Sequence, residues 1–404
     1  MSNIPKLRFK EFSGEFYNEV LDNLIKVTSK KFDSSKTKEI KKCVELEHLS
    51  QETGILLGYT NSNEQISIKN SFENGQVLFG KLRPYLKKFW QASFDGVCSS
   101  EIWVLNGKKL INAYVYYIVQ TNKFSQMANI SSGSKMPRAD WQYMSQIPFN
   151  YPTKPEQQKI ASFLTSVDKK IELLTQKEKL LKDYKKGIMQ KIFSQEIRFK
   201  ADDGSEFSEW VEKRLGSIVL LMQSGLSRLL SDTDIGLPVV RSNNLINNKL
   251  DILDVKYWYA NDPQGANTKS YYLKDGDVLV NFINSIAQIG KVAKYQDILG
   301  RDTIFTTNIM RLQFTNDINP DFIFNYFQTE KYKNHIQSIT KPAVNQASFT
   351  TKDFNKLVVP TPCLEEQNKI ANFLSAIDSK IEQVTKQLER TKEFKKGLLQ
   401  QMFV

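Results

Sequence analysis

Four cations are interleaved with apolar and aromatic residues in Lys81-Leu82-Arg83-Pro84-Tyr85-Leu86-Lys87-Lys88, directly after the apolar run Val77-Leu78-Phe79-Gly80. Such a string can neutralise phosphates, and the Arg83 guanidinium offers a two-pronged fork to a guanine edge. The same residues also suit a solvated strand end at Lys87 and Lys88 with Tyr85 in the core. Further along, Ser131 to Trp141 combines small polar residues with Gly133 and Pro137 and projects Ser134, Lys135 and Arg138, a loop whose backbone can approach a duplex closely. Thr340 to Phe349 stands at the equivalent place in the second half, with Lys341, Asn345 and Gln346. Lys135 and Arg138 give way there to amides, the side chains suited to adenine N6 and N7. Arg241, Asn243 and Asn244 are further candidate readers, although Ser242-Asn243-Asn244 is equally a turn signal. Phe94 to Trp103 reads as support for a loop rather than a base contact.

Catalytic patterns are missing from the same sequence. There is no GxGxxG or GxxxxGK[ST] phosphate loop, no GxSxG elbow and no HExxH pair. Asn319-Pro320-Asp321-Phe322 approaches the signature of a base-methylating enzyme but lacks its second proline and any FxGxG loop, so it reads as a turn and helix cap. Cys43, Cys98 and Cys363 are far apart and odd in number, and the imidazoles are His48 and His335, which argues against a disulfide framework or a zinc site. We therefore expect no catalytic residue, no metal and no cofactor.

The elements that must position these groups are duplicated. Glu156-Gln157-Gln158-Lys159-Ile160-Ala161-Ser162-Phe163-Leu164 returns as Glu366-Gln367-Asn368-Lys369-Ile370-Ala371-Asn372-Phe373-Leu374. Arg8-Phe9-Lys10 is echoed by Arg198-Phe199-Lys200, and Gly75-Gln76-Val77-Leu78 by Gly276-Asp277-Val278-Leu279. After each Glu-Gln start, apolar residues recur every seven positions. The first copy gives Ile160, Val167, Leu174, Leu181 and Ile188, and the second Ile370, Ile377, Val384, Thr391 and Leu398. A heptad held over about five repeats signals a coiled coil. An antiparallel pair would put one globular region at either end, whereas a parallel pair would crowd both at one end; two matched seams of equal length favour pairing.

The fold class is therefore mixed α/β (α+β). We expect two similar globular regions to alternate with two long helices that pair as an antiparallel coiled coil, with a pseudo-two-fold internal repeat. Boundaries are expected at 1–152 and 198–361 for the globular regions, and at 153–197 and 362–404 for the helical spacers. The chain of 404 residues carries 56 basic and 44 acidic side chains, a net charge of +12. A surplus of that size fits a polyanionic partner and also ordinary solubility. The sequence lacks an uninterrupted apolar run of about 18 residues and begins with charged residues, so we expect a cytoplasmic protein with no membrane partner.

Taken with the duplicated helix starts, Gly80-Lys81-Leu82-Arg83-Pro84-Tyr85 and Gly133-Ser134-Lys135-Met136-Pro137-Arg138-Ala139 resemble the specificity subunit of type I restriction-modification enzymes over essentially the whole chain. The second globular region departs from that pattern, lacking both the Lys-Leu-Arg-Pro-Tyr string and the Met-Pro-Arg run. The resemblance implies a non-catalytic subunit of a restriction system, with two target recognition domains that each read half of an asymmetric, bipartite site in double-stranded DNA. It also implies two modification subunits, which methylate adenine N6 with S-adenosylmethionine, and two ATP-dependent restriction subunits. Glu156, Gln157, Glu366 and Gln367 are then expected near the modification subunits, or else as helix caps. A coiled-coil scaffold that binds only proteins is the alternative, and it would show no salt-dependent affinity for duplex DNA.

Overall fold

The structure, a computed structural model, describes residues 4–28, 30–64, 67–130, 136–344 and 346–403. It divides into two compact units, one of residues 1–177 with 384–404 and the other of 178–383. Each long helix contributes to both: Lys154–Phe193 and Leu364–Gln401.

In unit 1 an antiparallel sheet has the order β1 (Ile25–Thr28), β4 (Ile102–Gly107), β2 (Val77–Gly80), β3 (Phe89–Gln91). The run Val77-Leu78-Phe79 is apolar without a break because β2 is covered on both sides. Val77 and Phe79 face a core containing Tyr114, Phe124 and Phe149, while Leu78 joins Val44, Trp90 and Val104 on the opposite face. The helices α1 (Asn112–Ile118) and α2 (Asn122–Asn129) supply the first layer. A five-stranded sheet built around Gly96–Cys98 supplies the second. Cys43 and Cys98 sit on adjacent strands but belong to different clusters, and burial pushes the Cys43 thiol up to about 11. They are buried free thiols.

Unit 2 repeats the plan. Its sheet runs β5 (Val219–Ser224), β8 (Ile309–Phe314), β6 (Val278–Asn281), β7 (Val292–Lys294). Val278 and Val280 face one core and Leu279 the other. Helix α3 (Pro320–Tyr326) opens as expected from Asn319-Pro320, the Asn319 side chain accepting from the backbone N–H groups of Asp321 and Phe322. Helix α4 is Glu330–Ile339.

The heptad stripes complete these cores. Ile160, Leu164 and Val167 meet Leu398 and Met402 inside unit 1, and Met189, Ile192 and Phe193 meet Ile370, Leu374 and Ile377 inside unit 2. In both cases early turns of one helix lie against late turns of the other, so the two run antiparallel within each unit. Matching ion pairs mark the register: Lys395 lies 2.7 Å from Asp168 in unit 1, and Lys185 lies 2.8 Å from Asp378 in unit 2. Among the described residues no helix is long and apolar enough to cross a membrane.

The repeated Glu-Gln pairs turn inward; of the two expectations, contact with a second protein or helix caps, burial corrects the first, and Gln157 and Gln367 cap neighbouring helices rather than their own. Glu156 takes Arg8 through two hydrogen bonds of 2.8 Å, and Glu366 takes Arg198 at 2.9 and 3.3 Å and the Trp210 indole at 2.9 Å. Gln157 accepts from the Ile111 backbone N–H and donates to the Pro152 carbonyl; Gln367 does the same with Asn319 and Pro362. All four are essentially fully buried. A carboxylate in that position needs a cationic partner, and a backbone N–H opening a helix needs an acceptor, which is why the two residue types recur together. Removing the carboxylate leaves the guanidinium and indole without it. We expect Glu366→Ala to lower unfolding stability by about 3 kcal/mol in urea titration, and Glu156→Ala to act in the same direction.

Candidate nucleic-acid interface

Beyond β2 and β6 the chain leaves the sheet and forms a tip in each unit, and backbone hydrogen bonds fix which residues correspond. Gly80 N–H donates to the Lys88 carbonyl as Asn281 N–H does to Lys291. Lys81 N–H reaches Glu101 as Phe282 N–H reaches Asn308, and Ala139 N–H reaches Lys81 as Phe349 N–H reaches Phe282. Leu82 bridges Arg138, and Ile283 pairs with Ser348. Arg83 thus corresponds to Asn284, and Arg138 to Ser348. Reading the second copy from its Lys341 to Gln346 segment alone misses Asn284, although carrying the Gly75/Gly276 register forward eight residues arrives at it.

In unit 1 the cationic string divides by what each side chain does. Arg83 is exposed, holds a left-handed backbone (φ 52°) before Pro84, and has no side-chain partner among the described residues. Its N–H is fixed to the Pro137 carbonyl at 2.8 Å, so the guanidinium is carried on an anchored turn. Lys81 lies beside it, partly exposed. Lys87 stands 3.5 Å from Glu52, and Lys88 donates to the Leu46 carbonyl at 2.6 Å, so Lys88 ties down a loop. Arg138 is half exposed and held by Glu101 at 3.0 and 3.4 Å, a contact that raises its pKa further above the usual arginine value. Ser134 and Lys135 lie outside the described residues.

In unit 2 the tip is a three-stranded ribbon of Ile283–Asn284, Ala347–Ser348 and Lys341–Pro342. Lys341, Gln346 and Ser348 are exposed. Asn345 lies outside the described residues. The Arg241 segment proves mostly a turn. Asn244 is buried, accepts from the Arg241 N–H at 2.8 Å and donates to the carbonyls of Asp251 and Asp254. Arg241 itself is engaged by Asp254 at 2.8 Å, leaving Asn243 as the exposed member of the trio. The reading of Asn244 as a base reader is thus corrected: its amide satisfies a capping turn, the same device that Glu45 and His48 form in unit 1.

Chemically, one tip offers a free guanidinium fork and the other offers amide and hydroxyl groups on matching backbone. The first suits phosphate or guanine, the second adenine edges. Among the described residues no group of three or more His, Cys, Asp or Glu side chains could hold a metal ion.

Comparison with known proteins gives these observations a setting. A model of the type I restriction modification DNA specificity domain matches residues 52–183 and 208–391. The chain is 33% identical over 215 residues to the type I restriction enzyme MjaX specificity subunit of Methanocaldococcus jannaschii, a match covering 52% of this chain and 49% of that protein. The chain thus spans about half the length of that relative. To the MjaVIII specificity subunit of the same organism it is 24% identical over 354 residues, 84% of this chain and 78% of the other. The solved structure of a type I restriction-modification S subunit from M. genitalium shares the fold, with a TM-score of 0.61 at 15% identity over 99% of both chains.

Lys87 is left-handed (φ 45°) at the position before Lys88, where unit 2 has Gly290 before Lys291. A side chain there costs about 1–2 kcal/mol, partly offset by the extra freedom glycine gives the unfolded chain. We expect Lys87→Gly to raise stability by up to about 1 kcal/mol in urea unfolding.

Proposed function

The chain belongs to the family of type I restriction-modification DNA specificity proteins, and from that premise we propose that it is the subunit that reads a bipartite site in double-stranded DNA, one recognition domain per half. One observation carries this reading: a single scaffold is built twice and ends in tips of different polar chemistry, Arg83 and Arg138 against Asn284 and Ser348. Equal scaffolds impose equal approach to the duplex, and unequal side chains then select unequal bases. Arg83 is the leading base reader in the first domain. Lys81, Arg138 and Lys87 contribute phosphate contacts, as does Lys135. In the second domain Asn284, Asn345 and Gln346 read bases, and Lys341 and Asn243 are further DNA contacts.

The recognition domains are residues 1–152 and 198–361, with helical spacers at 153–197 and 362–404. The long helices set the unread gap between the half-sites. Without catalytic chemistry of its own, the subunit brings two modification subunits and two restriction subunits to the DNA in the cytoplasm. The solvent-facing sides of the spacers are the natural docking surfaces for two identical modification subunits. Tyr184 and Phe394, equivalent by the repeat and each about half exposed, are the aromatic anchors there.

Arg83→Ala is expected to weaken binding by about 1–3 kcal/mol and to relax the methylated motif at one position, leaving the other half intact, as mapped genome-wide from methylated adenines. Loss of selectivity in both halves, or in neither, counts against the reading. Inserting four residues into both long helices adds about 6 Å, under two base pairs at roughly 3.4 Å each, so the gap should lengthen by one or two pairs in the same assay.

A further inference from the structure

Unit 2 contains a cleft of 670 Å³ that shares no residue with the reading tips described above. Its walls are the late turns of the first long helix, the loop 286–291 that precedes β7, and the start of α4. Met189, Val292, Phe327, Tyr332 and Ile336 give it an apolar floor. Five lysines line it, Lys182, Lys185 and Lys186 on the long helix, Lys291 on the loop and Lys333 on α4. Glu330 is the one carboxylate among the lining residues.

The cations are not equally available. Lys182 pairs with Glu178, Lys185 with Asp378 and Lys333 with Glu330, each at 2.8 Å. Lys291 forms no ion pair among the described residues, and Lys186 forms no close one but interacts at longer range with Glu330, whose pKa it helps to lower. The equivalent site in unit 1 is built differently. Lys88, the counterpart of Lys291, is engaged by the Leu46 carbonyl, and Phe89, the counterpart of Val292, fills space against Tyr116 with ring centroids 5.7 Å apart. Replacing phenylalanine by valine opens room, and leaving the lysine unengaged puts a charge at its edge. Val292 packs into the unit 2 core, but the rim is left short of counter-charge: Lys291 forms no ion pair among the described residues and Lys186 shares the Glu330 carboxylate with Lys333, a deficit that a bound anion would fill.

From this we infer that the cleft binds an organic polyphosphate, an anion carrying two or more phosphate groups on an apolar body. Ammonium groups arriving from three separate elements suit charge spread over several groups, and lysine takes phosphate as a point charge without the fork geometry that a carboxylate partner favours. The α4 N-terminus adds the positive end of a ten-residue helix. The volume lies in the range of small-molecule pockets, about 300–1,000 Å³, and the concave shape with an apolar floor suits a compact ligand better than the convex backbone of a duplex.

The test uses the full chain, with ATP, tripolyphosphate and inorganic phosphate as probes in titration calorimetry and a 30-base-pair duplex in parallel. We expect one saturable ATP site, with affinity above that of inorganic phosphate by about tenfold or more. Lys186→Ala with Lys291→Ala should weaken ATP binding by about tenfold, while the exposed control pair Lys269→Ala with Lys352→Ala leaves it unchanged. Unaltered thermal unfolding of both double variants establishes that the fold is intact. Three results overturn the inference: no saturable ATP binding by the unmodified chain, equal losses in both double variants, or a cleft variant that loses duplex affinity while keeping ATP affinity. The last assigns the two lysines to the DNA backbone.

Discussion

The two apolar stripes of the long helices are not a separate spacer core. They are the missing wall of each globular core. Ile160 and Leu164 from one helix and Leu398 and Met402 from the other close the cluster around Tyr114 and Phe124. Ile192 and Phe193 with Ile370 and Leu374 close the cluster around Phe322 and Tyr326. Removing either helix from a unit would expose fully buried large side chains, each contributing roughly 1.5–3 kcal/mol by its burial. The sheet and the helices of a unit therefore hold together as one cooperative body, and whatever a tip contacts is mechanically joined to the helices behind it.

Around that apolar joint lies a polar one, used twice. The Arg8–Glu156 and Arg198–Glu366 pairs fasten the segment leading into each unit to the start of a long helix, and aromatic pairs reinforce them, Phe9 with Phe163 at 5.6 Å and Phe199 with Phe373 at 5.5 Å. Buried ion pairs are poor sources of net stability but severe penalties when half broken. Their recurrence in both units fits a role in fixing geometry. The Gln157 and Gln367 amides do the same for the first turn of α1 and α3. What varies between the units lies mainly at the exposed tips, where a substitution leaves the core untouched, and in the unit 2 cleft, whose floor is part of the core and whose rim is not.

Much of this was legible in the order of residues. A strand buried on both faces has to be apolar throughout, so Val77 to Phe79 and Val278 to Val280 announced themselves. A helix packed along one stripe has to repeat every three to four residues, so the seams were visible over their whole length. The function of Glu156, Gln157, Glu366 and Gln367 was not legible. A conspicuous polar repeat looks the same whether it meets a partner protein or a distant arginine in its own chain, because the arginine lies 148 or 168 residues away. Asn244 misled for a related reason: an amide that caps a turn and an amide that reads a base have the same composition and differ only in burial.

The sequence by itself determined the duplication, the alternation of globular region and helix, the absence of catalytic motifs and the cationic string of the first tip, because each is a property of local periodicity or residue type. Tertiary structure alone decided which cations are free. Arg83 stands on an anchored turn with no side-chain partner among the described residues, while Lys88 is held by a carbonyl 42 residues away, and the equivalence of Asn284 with Arg83, implicit in the repeat register, is fixed by backbone hydrogen bonds. Pairing between distant residues is set by how the chain closes on itself, and no local pattern carries that information.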